Sequence, residues 1–246
     1  MYNAGLVSIS FRDKSPEEII SAAKNAGLSH IEWGSDVHAP RNDIKRLEEI
    51  SLLQKKEGIS CSSYGTYFRL GVNDTSELHE YISAAKILGT DILRLWCGNK
   101  GFKEYSQEEE DILFCECRKA AEIAEENDVT LCLECHNHTF TDCKEGAIKL
   151  MKLVNSPYFR MYWQPNQYVS EEENKRYIRL LSSFTRHIHV FNWNEDNRYP
   201  LADSISLWKK YLSFLNKDTT LLLEFMPDDN IATLNKEADA LRQIMR

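Results

Sequence analysis

No stretch of the 246 residues approaches the roughly 18 consecutive apolar residues of a membrane-spanning helix, so no segment is expected to cross a membrane. Positive charge is also scarce: 30 Lys and Arg stand against 38 Asp and Glu, a net charge of −8. That argues against a nucleic-acid backbone as the main partner, because such binding rests on clustered cations. Cysteine is present but builds no framework. The seven cysteines, an odd number scattered from Cys61 to Cys143, read as reduced thiols of a cytoplasmic protein. The N-terminal MYNAGLVSISFRDK lacks the basic start and long apolar stretch of a signal peptide. Pro/Gly/Ser-rich linkers, low-complexity segments and shifts of composition are missing too, so residues 1–246 are expected to form one domain.

What is there is an alternation. Short apolar runs predict strands at 5–10, 29–33, 59–64, 91–97, 129–135, 158–164, 186–191 and 219–225, separated by amphipathic stretches of helical period. The first helix opens with Ser15, Pro16 and Glu18, a capping box with proline at the first helical position. Other helical stretches stop at Gly or Asn before the next strand, as in KKEGISCSS and EENDVTLCLE. Eight βα units of about 31 residues fit an α/β protein, a single (β/α)8 barrel. The competing doubly wound sheet wants a Gly-rich phosphate turn after its first strand, and none is present.

Two glutamates, Glu134 and Glu224, each end an apolar strand, where a buried carboxylate costs several kcal/mol unless compensated. Glu32 follows an apolar pair in HIEWG in the same way. Alternate residues of a barrel strand face the interior. Parity turns Thr130, Cys132, Glu134 and His136 inward, and Leu131, Leu133 and Cys135 toward the helices. It likewise turns Arg160, Tyr162 and Gln164, His187 and His189, and Thr220, Leu222 and Glu224 inward, with Phe225 outward. Glu134, Gln164, His189 and Glu224 then converge at the C-terminal ends of strands, where barrel active sites lie. Two carboxylates, a carboxamide oxygen and an imidazole suit Mn2+, Mg2+ or Co2+, and Zn2+ is compatible. The alternative is that each Glu pairs with a buried Arg94 or Arg160 without a metal. His187, one layer deeper, reads as a core residue.

These residues resemble the xylose isomerase-like barrel superfamily, in particular its sugar phosphate isomerase/epimerase branch. Glu134, His189 and Glu224, with LCLECH and IHVFNW around them, match that family's Glu, His and Glu at strands five, seven and eight, and IEWGSDVHAP resembles its second strand and loop. Where the family has aspartate on the sixth strand this chain has Gln164, and where it has histidine three residues later it has Gln167. A carboxamide coordinates through its carbonyl oxygen, without charge and more weakly. The resemblance implies a metal-dependent isomerase or epimerase working through an enediolate, with Glu134 and Glu224 as acid and base. It also brings in endonucleases of abasic DNA, which the −8 charge argues against.

The substrate is expected to be a small carbohydrate, a ketose or polyol derivative. The loops NWNEDNRYP and MPDDN are acidic and lack a backbone nest for phosphate, so a non-phosphorylated one fits better. Substrate contacts are expected from His38, Tyr64, Arg94, Trp96, His136, Gln167 and Trp193. Among the aromatics, Trp33 and Trp96 also read as barrel packing, whereas Tyr64 and Trp193 read as ligand contacts. Cys132, Cys135, His136 and His138 mimic a zinc cluster, but the two cysteines fall on opposite faces of a strand. A keto-polyol dehydratase and a catalytically silent carbohydrate-binding barrel are the competing functions, and a homodimer is compatible with the sequence.

Overall fold

The structure, a computed structural model, describes residues 2–216 and 218–246. Strands and helices alternate as β1 (Asn3–Val7), α1 (Pro16–Asn25), β2 (His30–Gly34), α2 (Ile44–Glu57), β3 (Ser60–Leu70), α3 (Leu78–Leu88), β4 (Ile92–Cys97), α4 (Gln107–Glu126), β5 (Thr130–Glu134), α5 (Lys144–Val154), β6 (Phe159–Trp163), α6 (Glu171–Leu181) and β7 (Thr185–Val190). A two-stranded hairpin, β8 (Trp193–Asn194) and β9 (Asn197–Arg198), then precedes α7 (Ile205–Leu212), β10 (Thr220–Leu223) and α8 (Leu234–Ile244). Strands β1 to β7 and β10 close into a parallel barrel, β10 returning beside β1. The fold is the single (β/α)8 barrel expected from the alternation.

Local chemistry sets the element ends. Ser15 accepts a hydrogen bond from the Glu18 amide while Glu18 bonds back to Ser15, and Pro16 opens α1. Ser106 and Glu109 repeat the capping box on α4. Gly58 closes α2 in the left-handed conformation, at a φ of 72° that a Cβ would strain.

Two apolar layers follow from strand parity. The larger lies between strands and helices and contains Leu131, Leu133, Cys135, Met161, Trp163, Ile188, Leu221 and Leu223. The smaller fills the barrel with Val7, Ile9, Ile92, Cys132, Tyr162 and Leu222. Cys132 and Cys135 therefore sit in different layers, and no zinc site joins them. Phe225 departs from the outward position that parity gives it. The strand ends at Leu223, and Phe225 has a φ of 54°, which turns its ring onto the inner layer and against Trp193.

Two strands are irregular: β7 carries an extra residue, Arg186, opposite β6, and β3 departs from regular pairing twice. Ile31 pairs with Cys61 but Glu32 pairs with Ser63, so Ser62 is an extra residue. This bulge points Ser63 and Gly65 inward and Tyr64 outward. A second shift between Gly65 and Arg69 carries the strand on to the rim.

Candidate active site

Glu134 ends β5, His189 lies near the end of β7, and Glu224 follows β10, so parallel strands deliver all three to one mouth of the barrel. One ligand atom from each lies within 4.8 Å of the others, and all three residues are buried. Nδ1 of His189 is the centre: Gln164 Oε1 lies 2.9 Å from it, Glu224 Oε2 3.4 Å and Glu134 Oε1 3.5 Å. Donors arranged tetrahedrally about 2.1 Å from a cation stand about 3.4 Å apart, so these spacings suit a first-row dication.

Charge supports the same fit. Beneath the mouth, Glu32 is wholly buried and accepts from Arg94 Nε at 2.8 Å and from Ser63 Oγ at 2.9 Å. Arg94 also donates through Nη1 to Glu134 Oε2, which accepts from Trp96 Nε1 as well. Three carboxylates thus face one guanidinium, leaving two negative charges that a dication would cancel. Without it, protons take up the imbalance. Burial, with the neighbouring Glu134 charge adding to it and His189 opposing, pushes the Glu224 carboxyl up to about 7. Burial pulls His189 down, but the Glu224 and Glu32 charges outweigh it and lift the imidazole to about 10. Glu134 behaves in the opposite way: burial raises it, and the Arg94 charge with His189 carries it well below the usual carboxylate range. The residues present fit a divalent metal.

A cavity of about 280 Å³ opens above these groups, lined by Glu134, His136, Gln164, Gln167, Trp193 and Glu224 among others. Among the described residues its wall includes His, amide and aromatic side chains but no Lys or Arg. Of the expected substrate contacts, His136, Gln167 and Trp193 lie on it. His136 packs on Trp96 at 5.0 Å between ring centroids. Trp96 is therefore beside the site, held by Glu134, rather than only barrel packing.

Three expectations are corrected. Tyr64 does not reach the mouth, because the Ser62 bulge turns it into the helix layer, where its hydroxyl donates to the Ala39 carbonyl at 2.6 Å. Arg94 is only 2% exposed and committed to Glu32 and Glu134, so it serves the carboxylates and not a ligand. His38 is buried behind the β1 turn, with Nδ1 3.1 Å from Ser8 Oγ, and does not line the cavity. Glu32 was visible in the sequence as a charge after an apolar pair, yet only the fold shows that it lies under His189.

The mouth is tied together across its loops. The Glu195 amide donates to the Gln167 carbonyl and the Tyr168 hydroxyl to Asp196, fastening the β8–β9 hairpin to the loop after β6. Arg198 lies 4.8 Å above Trp193 and 4.9 Å from the Phe225 ring, and pairs with Asp229 beyond β10.

The model of the xylose isomerase-like TIM barrel family matches residues 20–244, and the chain belongs to that family. Among curated proteins, none matches the sequence. Solved structures resemble it over nearly their whole length. The probable 3-DHS dehydratase AsbF involved in petrobactin synthesis from Bacillus anthracis is 18% identical with a TM-score of 0.84, the match covering 98% of this chain and 99% of that one. D-psicose 3-epimerase from Clostridium cellulolyticum H10 is 13% identical with a TM-score of 0.73, covering 98% and 97%. A xylose isomerase-like TIM barrel protein from Mycobacterium smegmatis in complex with magnesium is also 13% identical at 0.73, covering 100% and 97%. At such identities the likeness shows the fold.

Proposed function

We propose that the protein is a metal-dependent isomerase or epimerase of a small, non-phosphorylated ketose or polyol derivative. The observation that carries this reading is the convergence of Gln164, Glu134 and Glu224 oxygens on Nδ1 of His189 at the mouth of a barrel of this family. A divalent cation held by Glu134, Gln164, His189 and Glu224 would supply Lewis-acid polarisation of a substrate carbonyl. A cavity wall that, among the described residues, holds no Lys or Arg and is rich in amide and aromatic groups suits hydroxyls and sugar faces better than phosphate.

The two catalytic glutamates are not equivalent. Glu134 has one oxygen bound by Arg94 and Trp96, which holds it in place as an anion. Glu224 has His189 as its close ionic neighbour and no such clamp among the described residues. Glu224 is the residue suited to take a proton from the carbon next to the carbonyl and to return it. Glu134 fixes the opposite side and takes part in proton transfer where both faces of the carbon must be served. His136 and Gln167 are placed to hold substrate hydroxyls, and Trp193 to cover a ring face.

Loss of water from a keto-polyol is the second reading. One freely placed proton carrier is enough for it, and a dehydratase is among the structures that share the fold. Incubation of the Mn2+-loaded protein with a ketose panel in D2O, with an EDTA control, separates the outcomes. Deuterium at the carbon beside the carbonyl without loss of water supports isomerisation or epimerisation, and a dehydrated product replaces that reading with the second. Metal bound without exchange or product over the whole panel overturns both and leaves a binding barrel.

A further inference from the structure

We infer that Glu32 is the positioning residue of the metal centre, one carboxylate that orients two of its ligands. The inference rests on the metal reading above and concerns a residue that touches neither cation nor substrate. For His189 to bind a cation through Nδ1, that nitrogen must be bare, so the ring proton sits on Nε2. Nε2 is buried with no hydrogen-bond partner among the described residues, and Glu32 Oε2 stands 3.6 Å from it. A shift of a few tenths of an ångström, of the kind ligand binding at Nδ1 would impose, closes this gap to a hydrogen bond. The carboxylate would then fix the ring orientation, select the Nε2–H tautomer and make Nδ1 a better donor to the metal.

The other oxygen of Glu32 acts on the second ligand. Oε1 accepts from Arg94 Nε at 2.8 Å, and the same guanidinium holds Glu134 Oε2, which leaves Glu134 Oε1 facing His189. Ser63 Oγ, turned inward by the β3 bulge, bonds Glu32 Oε2 at 2.9 Å and limits the carboxylate's rotation. Gly65 makes the arrangement possible: a Cβ there would lie 2.6 Å from Glu32 Oε1 and 2.9 Å from an Arg94 Nη. Glu32 is wholly buried, so its effect on any substrate passes through these ligands.

The test uses Mn2+ binding to the full chain by calorimetry and the His189 Nε2–H resonance in the Mg2+-loaded protein. Glu32→Gln should raise the Mn2+ dissociation constant roughly 10- to 100-fold and move that resonance from its downfield, carboxylate-bonded position toward that of a weakly bonded imidazole. Wild-type affinity or an unmoved resonance in the variant overturns the inference. If Glu32→Gln does not fold in EDTA, Glu32→Asp carries the test, because it keeps the charge but withdraws the carboxylate from both partners; weaker Mn2+ binding is expected and unchanged binding overturns the inference. A wild-type protein that binds no divalent cation would instead defeat the metal reading itself.

Discussion

The carboxamide oxygen of Gln164 lies 2.9 Å from Nδ1 of His189, nearer than either neighbouring carboxylate. A neutral oxygen therefore holds the position that charge would favour most. Gln164→Glu adds a negative charge at the same reach, and ligand charge is a principal determinant of cation affinity. The variant is expected to bind Mn2+ about tenfold more tightly, and titration calorimetry of the wild type and variant checks it. Equal or weaker binding would show that Gln164 stays outside the coordination shell.

Arg94 is shared between Glu32 and Glu134, and all three side chains are buried. Breaking a buried pair from one side leaves uncompensated charge, at a cost of about 3–5 kcal/mol. Arg94→Met should lose stability on that scale in urea unfolding of the metal-free protein, and added Mn2+ should recover part of it.

Proton transfer is expected to fail before metal binding does when Glu224 is neutralised. Glu224→Gln keeps an oxygen for a cation but removes the proton carrier, so solvent exchange into an accepted substrate should fall by roughly 10²- to 10⁴-fold. Measuring Mn2+ affinity on the same preparation separates the two roles, because a loss explained wholly by missing metal would remove Glu224 from the proton-transfer step.

His187 lies in the barrel one layer below His189, with Nε2 3.1 Å from the Ser62 carbonyl. Burial holds its pKa down, at about 4 against an ordinary 6.5. The unfolded chain therefore takes up this proton first as pH falls. The contribution of a neutral His187 to stability is complete above about pH 6.5 and is lost between there and about pH 4, to a total of about 3 kcal/mol. Urea titrations of wild type and His187→Asn at pH 7 and pH 5 should show a smaller acid-side loss in the variant. Equal losses would mean that His187 is free to ionise in the folded barrel.

Much of this arrangement can be read from residues alone, because pairing is unbroken over the strand segments that carry it, including β7 beyond its extra Arg186. In β5, β6, β7 and β10 each apolar residue that packs on a helix predicts an inward neighbour, and Glu134, His187, His189 and Leu222 fall where alternation places them. The failures have local causes. Hydrophobic patterning does not encode the extra Ser62, so Tyr64 is expected on the wrong face. His38 and Arg94 have the right chemistry for ligand contact, but burial and prior partners decide their roles, and those partners come from distant strands. Glu32 announces itself by the cost of its burial, whereas its proximity to His189 depends on the curvature that brings β2 and β7 across the barrel interior.

Phe225 adds a mechanical consequence. It follows Glu224 directly, occupies the left-handed region at a φ of 54°, and receives a brace from Ser10, whose hydroxyl accepts its amide proton at 2.8 Å. Its ring packs on Trp193 and under Arg198, both carried by the β8–β9 hairpin. Glu224 is thus followed directly by a residue whose backbone and ring are both fixed from outside β10. Through Phe225 the turn after β1, the end of β10 and the β8–β9 hairpin share one unbroken chain of contacts.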